Sequence, residues 1–213
     1  MKLNAKELRN IDNEVAQTSI INRQTHPIYL ILENVYDTYN IGGLFRLADA
    51  IGVEKMYLCG QMEIPPNPKI KKASIGTYKI VPWEYKKTVK EAIEGIKLKV
   101  KSEKLKVQAK SQKLSNNLTI QPFNNDLKVV AVEQSSKSVP YIQADYSTPI
   151  ALIVGNETFG VLPETLKLAD QIVEIPMFGI NKSLNVIVSA AIVSYWVLNN
   201  LKLEPEVGIG PTV

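Results

Sequence analysis

Residues 175–192 read IPMFGINKSLNVIVSAAI and place a loop with proline and glycine directly before the most apolar segment of the chain. The apolar run continues to Leu198 and predicts a helix that is buried nearly all round. Ser183 and Asn185 stand where this helix begins, and the side-chain oxygen of either residue could cap it by accepting a backbone N–H. The stretch therefore predicts a buried helix with polar side chains at its start.

Strand and helix patterns alternate along the rest of the chain. Short apolar runs predict strands at IYLIL (28–32), EKMYLCG (54–60), YKIVPW (78–83), DLKVVAVEQ (126–134), PIALIVGNE (149–157) and QIVEIPM (171–177). Helical patterns lie between them, at residues 5–19, 38–51, 86–96 and 163–169. This order predicts an α/β fold with a mostly parallel sheet flanked by helices. Ligands of such sheets bind beyond the carboxyl ends of the strands.

Composition limits the class of protein and the kind of site. The 213 residues are 45% hydrophobic and 22% charged, as expected for one large domain with a sizeable core. The single cysteine, Cys59, lies in an apolar run and is expected to be a buried thiol, and the only histidine is His26. These counts exclude an intramolecular disulfide and metal sites built from several cysteines or histidines. We therefore expect no metal.

Two segments bear on localisation. The first residues, MKLNAKELRN, are polar and charged, unlike a signal peptide. The uncharged run 183–201 has an apolar centre that is too short for a membrane span, which needs about 20 residues. We therefore expect a cytoplasmic protein.

Positive charge is concentrated in one segment. The chain has a formal net charge of +4, and residues 86–113 alone hold ten lysines against three glutamates. The segment near 97–125 includes VKSEKLKVQAKSQKL (100–114), a degenerate repeat of low complexity. It is either a solvated insertion or an arm that binds nucleic acid through its phosphates.

Three loops at predicted strand ends hold polar side chains: ENVYDTYNIGG (33–43), VGNETFG (154–160) and IPMFGINKSLN (175–185). The second loop lacks the Lys-Ser/Thr pair of a Walker A motif, and no G-x-G-x-x-G follows a strand. Asn40 lies in the first loop, and Arg46 follows within two helical turns, within reach of the same cleft. The alternative for Arg46 is an ion pair with Asp49 on the helix surface.

Three stretches carry a resemblance to a known family: NIGGLFRLADAIGV (40–53), LIVGNETFGV (152–161) and IPMFGINKSLNVIVSAAI (175–192). In this order they resemble the three motifs of the SpoU/TrmH family of RNA ribose 2′-O-methyltransferases, within the SPOUT superfamily. KKASIGTYKIVPW (71–83) is similar to the family's middle segment, so the resemblance runs from about residue 28 to 200. VEQSSKSVPY (132–141) before PIALIVGNE favours the branch that methylates a guanosine ribose in the tRNA D-loop. The lysine-rich stretch is longer than the family's usual connection there.

The resemblance implies a fold, a cofactor and partners. The main domain, residues 28–205, would end in a deep trefoil knot, with an N-terminal helical extension (1–27) before it and a tail (206–213) after it. S-adenosylmethionine would bind at Val154, Gly155, Asn156, Gly160, Ile175, Pro176, Met177, Ser183 and Leu184. The substrate would be tRNA or rRNA. The protein would be a homodimer with its active site at the subunit interface.

The resemblance also implies the catalytic residues Arg46, Asn40, Glu157, Ser183 and Asn185. Methyl transfer to a ribose 2′-OH requires loss of the hydroxyl proton and an in-line arrangement of oxygen, carbon and sulfur. Arginine is effectively never deprotonated in proteins, so we interpret Arg46 as a cation that grips a phosphate and stabilises the developing alkoxide. The predicted RNA contacts are Arg46, Lys97, Lys99, Lys101, Lys104 and Lys106.

Three alternatives stay open on the sequence. A related enzyme could methylate an RNA base instead of the ribose. A catalytically inactive RNA-binding module on the same fold predicts loss of Arg46, Glu157 or Asn185, and all three residues are present. A dinucleotide-dependent oxidoreductase is opposed by the missing glycine fingerprint.

Overall fold

One parallel sheet organises the protein in a computed structural model, which describes residues 3–113 and 126–201. Across the sheet the seven strands among these residues are β3 (Trp83–Lys86), β2 (Val53–Cys59), β1 (His26–Glu33), β6 (Ile150–Val154), β4 (Lys128–Val132), β7 (Gln171–Glu174) and β5 (Val139–Pro140). Every neighbouring pair is parallel. The predicted α/β class with a parallel sheet is confirmed, and all the carboxyl ends of the strands meet at one edge.

Helices cover both faces of the sheet. Within the described ranges they are α1 (Ala5–Arg9), α2 (Asn13–Ile21), α3 (Thr38–Ala50), α4 (Pro68–Ser74), α5 (Val89–Lys113), α6 (Pro163–Leu166) and α7 (Val186–Asn200). One face packs against α3, α4 and α7, through residues such as Phe45, Ile70 and Val193. The other packs against α5 and α6, through residues such as Ile93 and Leu166. The sheet is therefore the middle of three layers.

The central strand β1 shows why these sequences form a buried sheet. Leu30 and Leu32 point to the face with α3 and α7, while Tyr29 and Ile31 point to the face with α5. All four side chains are buried. A strand covered on both faces reads as a continuous apolar run, because neither set of alternating side chains meets water.

The N-terminal region differs from its prediction in one respect. The pattern over residues 5–19 predicts one helix, but the chain forms α1 and α2 separated by a turn. Asp12 explains the break, because its carboxylate accepts the backbone N–H of Val15 at 2.8 Å and starts a new helix. Leu8 and Ile11 pack on Ile80, away from the main core.

The predicted strand at YKIVPW is also wrong over most of its length. Residues Thr77–Lys79 form a 3₁₀ turn, and β3 begins only at Trp83. The backbone N–H of Val81 donates to the carbonyl of Thr77 at 2.9 Å. A backbone group engaged locally in this way is not free to extend a sheet.

Two further expectations concern burial and the lysine-rich stretch. Cys59 is a free, buried thiol as predicted, and burial raises its pKa to about 12.

The lysine-rich stretch continues α5 as far as Lys113, while residues 114–125 of the predicted insertion lie outside the described residues. Over the residues that the structure covers, no helix combines the length and apolar character needed to cross a membrane.

Candidate active site

A cavity of about 470 Å³ opens at the carboxyl edge of the sheet. Its walls are the ends of β4, β6 and β7, the loops that follow these strands, and the first turn of α7. Most of the predicted cofactor residues line it: Val154, Gly155, Asn156, Gly160, Ile175, Met177, Ser183 and Leu184. Pro176 is not among the lining residues. The second and third loops of the sequence prediction therefore meet in one cavity.

The loop after β6 is closed by its own backbone and by Asn156. Asn156 and Gly160 exchange two backbone hydrogen bonds of 3.0 and 2.9 Å. The side-chain oxygen of Asn156 accepts from the N–H groups of Thr158 and Phe159, and its amide donates to the carbonyl of Asn34 at 2.7 Å. This side chain ties the loop to the end of β1, so the cavity wall is fixed before any ligand binds.

Gly155 is required by the close approach of the two sides of this loop. A Cβ atom at Gly155 would lie 2.2 Å from the carbonyl carbon of Gly160 and 2.3 Å from the nitrogen of Val161. These neighbours are backbone atoms and cannot rotate away. Any side chain at position 155 therefore displaces the cavity wall.

Two carboxylates support the far end of the same loop. Glu133 accepts the backbone N–H of Val161 at 2.8 Å. Glu33 accepts the N–H of Leu162 at 2.9 Å and the hydroxyl of Thr165. Burial raises the pKa of Glu33, and these two hydrogen bonds oppose that rise. Glu133, directly after β4, and Glu33, the last residue of β1, thus hold the far end of the loop in place.

Glu133 and Gln134 line the cavity after β4, and neither is among the predicted site residues. Gln134 also reaches across the site and donates its amide to the carbonyl of Lys182 at 2.7 Å. The signal was present in the sequence, because both residues stand at the carboxyl end of the predicted strand DLKVVAVEQ (126–134). Polar side chains after any buried parallel strand are candidates for the same edge.

Glu157 is the centre of a hydrogen-bond chain between the first and second loops. Its carboxylate accepts from the backbone N–H groups of Tyr36 and Asp37, each at 3.1 Å, and from the side-chain amide of Asn40 at 2.9 Å. Burial alone would raise the pKa of Glu157, but the hydrogen bonds outweigh it and lower the pKa below its ordinary value. Glu157 is therefore a carboxylate at neutral pH.

Asn185 extends this chain to α7 and settles which residue caps the helix. Its oxygen accepts the N–H of Ile187 at 2.8 Å, which makes it the N-cap. Its amide donates to the side-chain oxygen of Asn40 at 3.0 Å. Ser183 lines the cavity without capping the helix. Asn185 therefore has both roles that the opening stretch suggested, since it caps α7 and lines the cavity.

Arg46 stands apart from these residues. It is exposed on α3 and is not among the residues that line the cavity. In the described part of the chain Arg46 forms no ion pair, so the predicted alternative of a bridge to Asp49 is not observed. The charge near Asp49 is that of Arg23, which opposes the rise that burial causes in the pKa of Asp49. The guanidinium of Arg46 is thus available to a ligand.

The predicted RNA-binding lysines lie at the opposite edge of the sheet. Lys99 pairs with Glu54, at the start of β2, at 2.6 Å, and Lys104 pairs with Asp126 at 3.1 Å. The remaining three, Lys97, Lys101 and Lys106, are exposed. Their RNA contact stays a prediction.

Charge in the cavity has one sign. Three glutamates are among its lining residues, Glu133, Glu157 and Glu174, and the lining includes no lysine, arginine or histidine. Among the residues that the structure describes, no group of three or more His, Cys, Asp or Glu side chains could hold a metal ion. The arrangement favours an organic ligand that carries positive charge.

The model of the SpoU rRNA Methylase family matches residues 27–195, and the chain therefore belongs to this family. The tRNA (guanosine(18)-2′-O)-methyltransferase of Aquifex aeolicus is 47% identical over 58 residues, which are 27% of this chain and 28% of the relative. The enzyme of the same name from Escherichia coli K12 is 24% identical over 176 residues, 81% of this chain and 63% of the relative. The match thus spans less than two thirds of each of these relatives.

Solved structures show the same fold. The AdoMet-bound rRNA methyltransferase of Sinorhizobium meliloti superposes with a TM-score of 0.63 at 24% identity, over 91% of this chain and 60% of that one. The TrmH/SpoU tRNA modifying enzyme of A. aeolicus superposes with a TM-score of 0.59 at 25% identity, over 92% of this chain and 81% of that one.

Proposed function

We propose that the protein is an S-adenosylmethionine-dependent methyltransferase that modifies a ribose 2′-OH of tRNA or rRNA, with a tRNA D-loop guanosine favoured. The observation that carries the proposal is the cavity at the carboxyl edge of the sheet, lined by residues of the second and third motifs. Family membership and the names of the relatives support it. Methylation of an RNA base on the same fold is the second candidate.

The cavity suits the proposed cofactor in size and charge. Pockets for small molecules typically measure about 300–1,000 Å³. Three carboxylates without a basic side chain favour a cation, and S-adenosylmethionine carries a sulfonium and an ammonium group. The loops 155–160 and 175–185 would hold it. When bound, this cofactor supplies an electrophilic methyl group.

The residues around the cavity have separate tasks in this proposal. The chain Glu157–Asn40–Asn185 fixes the start of α3 relative to α7, so the cavity and the Arg46 helix keep one orientation. Ser183 lines the cavity and would contact the cofactor. Arg46 would bind the phosphate next to the target ribose and stabilise the developing alkoxide, while the hydroxyl proton passes to solvent water, because the guanidinium of Arg46 stays protonated. No residue needs to change its charge for these tasks.

We also propose the trefoil knot and retain the division into residues 1–27, 28–205 and 206–213. The connection after β4 supports the knot, because it contacts both later loops. Glu133 accepts from Val161, Gln134 donates to Lys182, and the Ser138 hydroxyl donates to Glu174 at 2.7 Å. A threaded C-terminal segment requires contacts of this kind.

A homodimer through α7 is the third element of the proposal. Val188 and Tyr195, seven residues apart on one helix face, are 44% and 53% exposed. Ile192, between them, is only partly buried, so α7 presents an apolar stripe to solvent. Contiguous apolar surface of this kind is typical of subunit interfaces.

Val188→Glu is expected to convert the dimer into monomers, because a carboxylate would be buried in the interface without a partner. Light scattering at micromolar concentration measures the mass. Val15→Glu is the matched control, since Val15 is 40% exposed on α2, outside the stripe. A monomeric wild type, or a Val188→Glu variant that stays dimeric, would contradict this interface.

The proposed activity is tested with methyl-labelled S-adenosylmethionine and separate tRNA and rRNA fractions. We expect label in one RNA fraction and none in a reaction without protein. A thermal-shift series with S-adenosylmethionine and with NAD addresses the oxidoreductase alternative in parallel. Stabilisation by NAD alone, or labelled RNA in neither fraction from folded protein, would refute the proposal.

A further inference from the structure

A second lysine cluster lies on α4, close to the predicted catalytic helix. Residues 64–82 contain four lysines and no acidic residue. Lys69, Lys71 and Lys72 of α4 are exposed, and within the described part of the chain none of them forms an ion pair. We call these three residues the α4 lysines. Their charges are available to an anionic partner.

Packing fixes the direction in which the α4 lysines point. Ile70 and Ser74 are fully buried, so the opposite side of this short helix faces water. Pro68 stands in the first turn, and the Asn67 side chain caps the helix by accepting from Lys69 and Ile70 N–H groups. The α4 lysines are therefore displayed on a rigid, capped helix.

The α4 helix lies directly against α3. A Cβ atom at Gly42 would be 2.4 Å from the Cβ of Ala73 and 2.8 Å from the nitrogen of Ser74. On α3, Arg46 follows Gly42 by one helical turn and shares its side of the helix. Side chains of a helix lean towards its N-terminus, which brings Arg46 back over the turn that touches α4. Arg46 and the α4 lysines therefore belong to one surface.

We propose that the α4 lysines bind the RNA phosphate backbone and so position the RNA next to Arg46. The inference rests on the proposed function, and it adds the side from which the RNA approaches. Lysine side chains on an exposed helix suit phosphate contacts that do not depend on sequence. The RNA then lies on the surface formed by α3 and α4.

The lysine-rich part of α5 is less suited to this task. It covers the other face of the sheet, and among the side chains of this helix that the structure describes, those up to Lys106, Val100 is the last one in the core. Lys99 contacts Glu54 at the amino edge, while the cavity opens at the carboxyl edge. The strand β1 separates these edges by about 25 Å, at about 3.3 Å per residue. Phosphates held there are remote from the cavity.

The test compares two triple variants with the same change of charge. One replaces the α4 lysines (K69Q, K71Q and K72Q), and the matched control replaces the exposed lysines of α5 (K97Q, K101Q and K106Q). The probe is an unmodified tRNA transcript, and its Kd is measured as a function of salt concentration. Removal of one lysine–phosphate contact lowers the slope of log K against log salt by about 0.7–0.9. We expect the α4 variant to bind about tenfold to 100-fold more weakly at 0.1 M salt.

The two variants together decide the inference. An unchanged slope in the α4 variant would overturn it, and so would an equal weakening in both variants, which would indicate a general effect of net charge or RNA contact by the α5 lysines as well. Melting temperature and S-adenosylmethionine binding should stay at wild-type values, because the substituted side chains are exposed and distant from the lining. Absence of methyl transfer by the wild type refutes the proposed function instead, and leaves the salt slope measurable.

Discussion

Arg46→Ala is expected to lower turnover roughly 10²–10³-fold, the decrease typical when a group that stabilises transition-state charge is removed. Stability should change by less than about 0.5 kcal/mol, because the side chain is exposed and forms no ion pair among the described residues. Affinity for S-adenosylmethionine should also be retained, since Arg46 does not line the cavity. Steady-state kinetics and calorimetry measure these three quantities.

Arg46→Lys separates the two roles that the guanidinium could have. Lysine keeps the charge and loses the planar two-pronged geometry. Partial recovery of turnover would indicate simple electrostatic stabilisation, and no recovery would indicate a bidentate grip on phosphate. A fully active Arg46→Ala enzyme on its proper RNA would show that the assigned mechanism is wrong.

Gly155→Ala is expected to weaken S-adenosylmethionine binding by about 1–3 kcal/mol, roughly 5- to 150-fold in Kd. The added methyl group would lie 2.2 Å from the backbone of Gly160, so the loop has to move. Gly179→Ala is the matched control in the third loop, because a Cβ there meets nothing within 4 Å. Calorimetry on both variants gives the Kd values.

An unchanged Kd in Gly155→Ala, with an intact fold by circular dichroism, would remove the loop from the cofactor site. Equal weakening in both variants would show that the crowding at Gly155 is not the cause of the lower affinity.

Mixing Gly155→Ala with Arg46→Ala addresses the proposed shared active site. Activity of the mixture above that of either variant alone indicates that Arg46 of one subunit serves the cavity of the other.

The strands and helices that form the layers could be predicted from the sequence, because each depends on a local pattern of apolar residues. The continuous apolar run of β1 and the apolar stretch of α7 each identify their own element. The break at Asp12 and the turn at Thr77–Lys79 were missed, since both depend on a hydrogen bond that competes with the apolar pattern. The sequence pattern did not predict the short helix α4, because this helix depends on its packing against Gly42.

The site was predictable wherever polar residues follow a strand with a recognised motif. Asn40, Glu157 and Asn185 meet through two side-chain hydrogen bonds. Their sequence separation is 117 and 145 residues, so only the order of strands in the sheet brings them together. Glu133 lies in VEQSSKSVPY, outside the three motifs that identify the family, and its partner Val161 is 28 residues away along the chain. Its contact with Val161 was therefore visible only in the structure.

The most direct measurement of the central claim is mass spectrometry of nucleosides from RNA incubated with the protein and S-adenosylmethionine. The reacted tRNA and rRNA are digested to nucleosides, and fragmentation assigns the added mass of one methyl group to the sugar or to the base. We expect a single nucleoside methylated on its ribose, formed roughly 10²–10³-fold more slowly with Arg46→Ala. A methyl group on the base, or unmodified nucleosides from both RNAs with active cofactor and folded protein, would contradict it.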